Sequence, residues 1–269
     1  MNEGHVDVET REGRYLYSVI NSGAQLCFGD IGINDNKVFT IPHEDIAAVV
    51  HSCQAEAYRT QDNGKVKEWI LAHNYVIDSA SKQFGTVLPF AFSTIIIGND
   101  ETVSNWLAEN YRKLKSGLEK VKNKAEYSVQ IFCDQDRLAQ KLASSYQELK
   151  ELKEKLEELS KGAAYLVQRQ FELKMKDAIA VEISMLAADF SSKISEHIEE
   201  SNLEKKKSQA PEKYKGMKLI LALSCLVKED KVEKLGEVLD EINNRDGFAV
   251  RFTGPWAPFS FVGGNKYET

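Results

Sequence analysis

The chain has 269 residues, of which 42% are hydrophobic and 28% are charged, a composition that suits one large folded domain or two ordinary ones. It excludes a disordered protein, and no stretch reaches the ~20 apolar residues that a membrane-spanning helix needs. The net charge of −6 would repel a phosphate backbone, so nucleic acid is not an expected partner. No signal peptide is visible, and we expect a cytoplasmic location.

The first half of the sequence alternates strand and helix patterns, and we assign residues 1–122 to an N-terminal α+β domain. Two amphipathic helices are predicted, one at 66–84 and one at 103–118, the second capped by Asn99 or Asp100. The predicted strands are residues 15–20, a hairpin of 31–33 and 38–41, and residues 46–50 and 88–97.

A second domain is predicted for residues 123–269, and long helices dominate its first part. After a strand near residue 127, leucines follow a 4-3-4-3 spacing over three heptads, as in a coiled coil. The helical pattern of 135–200 is interrupted at Gly162, which favours an antiparallel hairpin. The lysine-rich segment 201–216 is predicted to be an exposed linker. The heptad positions are Leu138, Leu142, Ser145, Leu149, Leu152, Leu156 and Leu159, so one of the seven is a serine.

The remainder of this second domain has a strand–helix–strand pattern. The apolar run 218–227 predicts a buried strand, the helix near 232–242 is capped by Asp230, and a last strand covers 248–253. Together with the strand near residue 127, this order predicts a ferredoxin-like (split βαβ) domain with a long helical-hairpin insertion. The fold class is therefore α+β in two domains, followed by an aromatic and proline-rich tail at 254–264.

Local signatures of catalysis are missing from the sequence. It has no phosphate-binding GKS or GKT, no GxSxG elbow and no CxxC pair. Four residues with irregular spacing, His43, His51, Cys53 and His73, leave a metal-dependent enzyme as an alternative. His73 lies on the apolar face of its predicted helix, which is more typical of a core histidine. We therefore expect a non-enzymatic protein and assign no catalytic residue, no cofactor and no metal.

The C-terminal tail is the candidate protein-binding segment. Two prolines restrict its backbone and lower the entropy lost on docking, while three aromatic rings are potential anchors. The alternative is that these rings close the core of their own domain. The candidate residues are Pro255, Trp256, Pro258, Phe259 and Phe261.

The segment 253–262, which reads TGPWAPFSFV, resembles the Thr-Gly-Pro-Trp-Pro-Pro-Tyr-Ser-Phe ending of the gas vesicle protein F/L family. Less specific similarities agree in order and spacing and extend the resemblance over most of the chain. They comprise residues 15–20, 45–50, His73 with 87–94, and 162–169. Ala91 and Ser93 depart from the family, which usually has Arg and Gly there, and Ala257 replaces a proline.

The resemblance implies a protein needed to build gas vesicles, the hollow protein shells that give buoyancy. Its expected partners are the small hydrophobic shell protein and other accessory gas vesicle proteins, and its expected location is the cytoplasm or the vesicle. The leucine heptads alone favour a different class, a cytosolic coiled-coil scaffold or adaptor unrelated to vesicles.

Overall fold

The structure is a computed structural model that describes residues 11–160, 164–204 and 211–262. These residues form ten strands in two sheets and seven α-helices, which confirms the α+β class expected from the sequence. They fall into two compact units. The first runs to Glu126 and also contains the tail from Pro255, and the second is Tyr127–Gly254. The tail thus groups with the first unit, although the sequence analysis attached it to the second domain.

The first unit is built on an antiparallel sheet with a helix on each face. Its elements are β1 (Glu12–Ile20), β2 (Cys27–Gly29), β3 (Val38–His43), β4 (Ile46–Gln54), α1 (Asn63–Phe84), β5 (Leu88–Pro89), β6 (Ile95–Ile97) and α2 (Asp100–Val121). The strand order is β2-β3-β4-β1-β5, and β6 also pairs with β1. Helix α1 covers one face of the sheet and α2 covers the other.

Strand β1 lies at the centre of this sheet and is buried on both faces. A bulge between Leu16 and Ser18 shifts its register against β4. Tyr15 and Tyr17 pack in the core under α1, and the bulge places Leu16 and Val19, which are three residues apart, together in the core under α2. The predicted helices are both confirmed, and Asn99 caps α2 by accepting a hydrogen bond from the Thr102 amide.

Two strand predictions in this unit are wrong because turn geometry was not recognised. The predicted strand 31–33 ends in a 3₁₀ turn at Ile33–Asp35, where Asn34 has a φ of 55°, and β2 takes its place beside β3. The predicted strand 88–97 is divided into β5 and β6 by a turn in which Ser93 has a φ of 68°. Such left-handed conformations interrupt a strand ladder.

The second unit contains a four-stranded sheet with helices packed against it. The remaining elements are β7 (Lys124–Cys133), α3 (Gln135–Ser145), α4 (Gln147–Glu158), α5 (Ala164–Ser195), β8 (Glu200–Leu203), β9 (Lys218–Lys228), α6 (Val232–Asn243), β10 (Phe248–Trp256) and α7 (Phe259–Val262), the last in the first unit. The strand order is β10-β7-β9-β8. The strand predicted at 218–227 is confirmed as β9, which lies inside the sheet.

The heptad leucines do not form one continuous helix. Tyr146 has extended backbone angles, with φ −88° and ψ 116°, and separates α3 from α4. Leu138, Leu142 and Leu149 are buried in a cluster that also takes up apolar side chains of α5, such as Phe171. These three leucines of the predicted coiled-coil seam therefore pack inside the second unit, within a bundle of α3, α4 and α5.

Three further predictions for this half need correction. Asp230 does not cap α6, because the N-cap is Lys231 and makes no side-chain cap bond. The linker 201–216 begins with strand β8, although residues 205–210 lie outside the described part, as does Gly162. Gly254 and Pro255 do not end the last strand, since β10 continues to Trp256.

No helix in the ranges 11–160, 164–204 and 211–262 is both long enough and apolar enough to cross a membrane.

We predict that Leu149→Ala lowers the free energy of unfolding by about 2–4 kcal/mol, because it opens a cavity in the cluster between α3, α4 and α5. Leu159→Ala, at a side chain that is 39% exposed, is the matched control and should change it by less than about 1 kcal/mol. Urea denaturation measures both values. The mass in solution, measured by light scattering, should not change. A lower oligomeric mass with unaltered stability would instead show that the leucines join separate chains.

Candidate protein-binding surface

The C-terminal tail follows directly from β10 and closes in a single helical turn. Gly254 has a φ of 141°, a conformation that side chains disfavour, just before the Pro255-Trp256 end of the strand. The turn is then held by two backbone hydrogen bonds, from the Phe259 amide to the Ala257 carbonyl at 2.8 Å and from the Phe261 amide to the Pro258 carbonyl at 3.1 Å. The tail thus has a defined backbone path.

Buried side chains fix this turn on the first unit. Pro258 is buried and Phe261 is only 6% exposed. The Lys120 ammonium donates a hydrogen bond to the Phe261 carbonyl at 3.1 Å. Glu126 accepts two further bonds, from the Ser260 amide at 2.8 Å and from its hydroxyl at 2.6 Å. A carboxylate that receives two donors from one residue holds the turn in one orientation.

Two aromatic rings of the tail remain exposed above these anchors. Trp256 is 55% exposed and Phe259 is 37% exposed. Trp256 stands between two clefts, one of about 340 Å³ beside Lys82 and Lys124 and one of about 240 Å³ that also includes Phe259. Asp78 of α1 lines both clefts. The five candidate residues therefore divide into buried supports (Pro258 and Phe261) and exposed residues (Pro255, Trp256 and Phe259).

Helix α1 extends the apolar surface beside the tail. Leu71 and Tyr75 are 58% and 56% exposed, and they lie one turn apart on the same side of the helix. Asn74 and Asp78, their neighbours on α1, line the smaller cleft beside Trp256. Leu71, Tyr75 and Asp78 were not among the binding residues predicted from the sequence. The sequence signal that could have revealed this surface is the presence of apolar residues on α1 outside its buried stripe.

A network of buried tyrosines and histidines lies under this surface. The Tyr15 hydroxyl is 2.9 Å from His73 Nδ1, and the Tyr17 hydroxyl is 2.7 Å from His51 Nδ1. The other ring nitrogens are also partnered, since His73 Nε2 lies 3.2 Å from the Phe90 carbonyl and His51 Nε2 lies 3.0 Å from the Tyr58 hydroxyl. Phe259 of the tail lies against the His73 ring, with the ring centres 6.2 Å apart.

The hydrogen-bond directions assign His73 as a neutral ring. The Tyr15 hydroxyl accepts from the Ser93 amide, so its own proton is available to His73 Nδ1. His73 Nε2 must then carry the proton that is donated to the Phe90 carbonyl, which can only accept. Burial also lowers the pKa of both His51 and His73 to about 4, because the charged ring loses its hydration.

The four residues of the metal alternative do not assemble into a metal site. The His51 and His73 ring nitrogens are already engaged with tyrosine hydroxyls and a carbonyl, and His43 contacts Tyr111 instead. Within the described part of the chain, no group of three or more His, Cys, Asp or Glu side chains is arranged to hold a metal ion.

Comparison with known proteins places the chain in a family. The family described as "Gas vesicle synthesis protein GvpL/GvpF" matches residues 13–263. The chain belongs to this family. The resemblance drawn from the tail is thereby confirmed. Gas vesicle protein L of Haloferax mediterranei is 28% identical over 293 residues, covering 97% of this chain and 91% of that protein. Gas vesicle protein L1 of Halobacterium salinarum is 28% identical and covers 93% and 90%.

Solved structures of the same family share this fold. The crystal structure of gas vesicle protein GvpF from Anabaena sp. PCC7120 superposes with a TM-score of 0.72 at 17% identity, covering 94% of this chain and 98% of that one. GvpF from Microcystis aeruginosa gives a TM-score of 0.64, also at 17% identity, with 93% and 99% covered. The fold of a gas vesicle protein is thus retained although most side chains differ.

We predict that the buried histidines make the protein sensitive to acid. Their folded pKa of about 4 lies below the ordinary 6.5, so the unfolded state binds more protons between these values. The contribution of the two histidines to the free energy of unfolding is fully present above pH 6.5. It is lost as the pH falls towards 4, by up to about 2.7 kcal/mol per pH unit for both together.

The test is urea denaturation between pH 7 and pH 5. His73→Gln should reduce the slope of stability against pH by up to about half, because one of the two buried rings no longer titrates. Equal slopes for wild type and His73→Gln would contradict the prediction.

Proposed function

We propose that this protein is a non-enzymatic gas vesicle assembly or minor structural protein that binds the vesicle shell protein and other accessory gas vesicle proteins during vesicle formation. It acts in the cytoplasm and on the growing vesicle. Membership of the GvpL/GvpF family supports the gas vesicle role. Protein binding is inferred from the exposure of Trp256 and Phe259 on a turn that is anchored by buried residues.

Large exposed rings on a fixed support are typical of binding hot spots. An aromatic side chain has few rotatable bonds, and the anchored turn has already lost its backbone freedom before a partner arrives. A monomeric protein gains nothing from leaving such rings in water, whereas a hydrophobic shell subunit offers apolar surface that can cover them. We therefore assign Pro255, Trp256 and Phe259 to the contact surface and Pro258 and Phe261 to its support.

The same proposal includes a division of the chain into two domains. The second unit has the strand order β10-β7-β9-β8 and the element order strand, helices, strand, strand, helix, strand. That arrangement supports a ferredoxin-like domain in which α3, α4 and α5 occupy the place of the first helix. In this proposal, residues 127–254 form this domain, and residues 1–126 together with the tail from Pro255 form the N-terminal domain.

The alternative of a coiled-coil scaffold is not favoured by a specific observation. Leu138, Leu142 and Leu149, which motivated it, are buried within the second unit, so they are not available as a seam for another chain.

We predict that the double substitution Trp256→Ala with Phe259→Ala reduces co-purification of gas vesicle proteins at least about tenfold, because two anchors of the interface are removed. The tagged protein is purified from gas-vesicle-producing cells, and the shell protein and accessory proteins are quantified by mass spectrometry. The free energy of unfolding should change by less than about 2 kcal/mol, since Trp256 is more than half exposed.

Tyr165→Ala is the matched control, because this aromatic ring on α5 is 71% exposed and lies outside the tail surface. It should leave co-purification unchanged. The binding role of the tail is wrong if the double variant recovers the same vesicle proteins in the same amounts as the wild type. The gas vesicle role itself is in question if the wild type recovers none from cells that form vesicles.

A further inference from the structure

The smaller cleft beside Trp256 has the chemistry of a site for a cationic side chain. It encloses about 240 Å³, and its lining includes Trp256 and Phe259. The polar residues of the lining are Asn74, Asp78 and Glu126. No lysine or arginine lines this cleft, so both of its charged residues are acidic and lie beside two aromatic residues.

The two carboxylates have different roles. Glu126 is fixed, since its oxygens accept the Ser260 amide and hydroxyl at 2.8 and 2.6 Å. Asp78 is exposed on α1 and, among the described residues, has no hydrogen bond or ion pair. Lys82, one turn further along α1, lines the neighbouring cleft but does not reach ion-pair distance of Asp78. The Asp78 carboxylate is therefore available to an incoming cation.

An aromatic wall next to a free carboxylate selects for a guanidinium group. A planar guanidinium can stack on an indole and at the same time donate paired hydrogen bonds to a carboxylate, whereas an ammonium is a compact point charge. Asn74 offers an additional carbonyl acceptor. The exposed Leu71 and Tyr75 lie on the same side of α1, so the cation should arrive on a segment that is otherwise apolar.

We propose that the cleft between α1 and the tail binds an arginine side chain carried by an apolar segment of a partner protein. This inference rests on the proposed function, because it names the chemistry by which the tail surface recognises its vesicle partner. Trp256 and Phe259 stack on the guanidinium, Asp78 pairs with it, and Leu71 and Tyr75 cover the apolar neighbours of the arginine. The surface thereby combines apolar affinity with a charge requirement that gives specificity.

The test uses two fluorescent amphipathic peptides of defined sequence. One carries a leucine stripe interrupted by a single arginine, and the other has citrulline, the neutral isostere, at that position. Fluorescence anisotropy with the full-length protein should give an affinity for the arginine peptide about tenfold higher than for the citrulline peptide. The protein has three tryptophans, and only the indole NMR signal of Trp256 is expected to shift on addition of the arginine peptide. That signal is assigned by its loss in the Trp256→Phe variant.

Charge reversal provides the matched pair of variants. Asp78→Arg should abolish the preference for arginine, because it fills the cleft with its own cation. Glu109→Arg changes the net charge equally, at an exposed position on α2 that does not line the cleft, and should keep at least about half of the wild-type affinity. Asp78→Asn is a milder second variant and should lower the preference without changing stability.

The outcomes separate the arginine site from the proposed function. Equal binding of the two peptides, or an equal loss in Asp78→Arg and Glu109→Arg, would overturn the arginine site. In that case, dependence of vesicle-protein recovery on Trp256 and Phe259 would still support an apolar docking surface. Conversely, arginine preference in the peptide assay without recovery of any vesicle protein from cells would keep the site and reject its assignment to vesicle assembly.

Discussion

Burial of β1 on both faces is the constraint on which the first unit depends. Because helices cover the sheet on each side, the Tyr15 and Tyr17 hydroxyls cannot reach water and need partners within the protein. Leaving a buried hydroxyl unpaired costs about 1–3 kcal/mol. His73 of α1 and His51 of β4 satisfy these groups, so the hydrogen bonds connect the central strand with a helix and with its neighbour in the sheet.

The same network provides the base for the tail. His73 pairs with Tyr15 on one side and contacts the Phe259 ring on the other, so the position of the exposed ring is linked to the centre of the core. Lys120 and Glu126 hold the other side of the turn. A partner that covers these rings does not have to order them first, and the entropy cost of binding is correspondingly smaller.

The parts of this fold that could be predicted are those with a long, regular hydrophobic period. Helices α1 and α2 and strand β9 repeat their patterns over many residues, so one unusual residue does not change the outcome. The failures are at single residues with special backbone angles. Asn34 and Ser93 adopt a positive φ, and Tyr146 breaks a leucine pattern that continues on both sides of it.

The candidate site follows the same division. The tail was recognisable because its prolines and rings are contiguous in sequence, and its dense aromatic content needs no tertiary information. The cleft next to the tail could not be predicted from the sequence, because Asp78 and Glu126 are distant in sequence from Trp256. They are brought together only by the docking of the tail on the first unit. Charged residues on an amphipathic helix otherwise resemble an ordinary solvated face.

Ser93 illustrates how the chain tolerates a departure from its family. The resemblance places a glycine here, which the φ of 68° explains, since that conformation costs a non-glycine residue about 1–3 kcal/mol. Serine offsets the cost with its hydroxyl, which accepts from the Tyr58 amide at 3.1 Å, a bond that glycine cannot form. Its own amide donates to the Tyr15 hydroxyl at 2.9 Å. The turn therefore still presents the Phe90 carbonyl to His73, and the support beneath the tail is retained without the glycine.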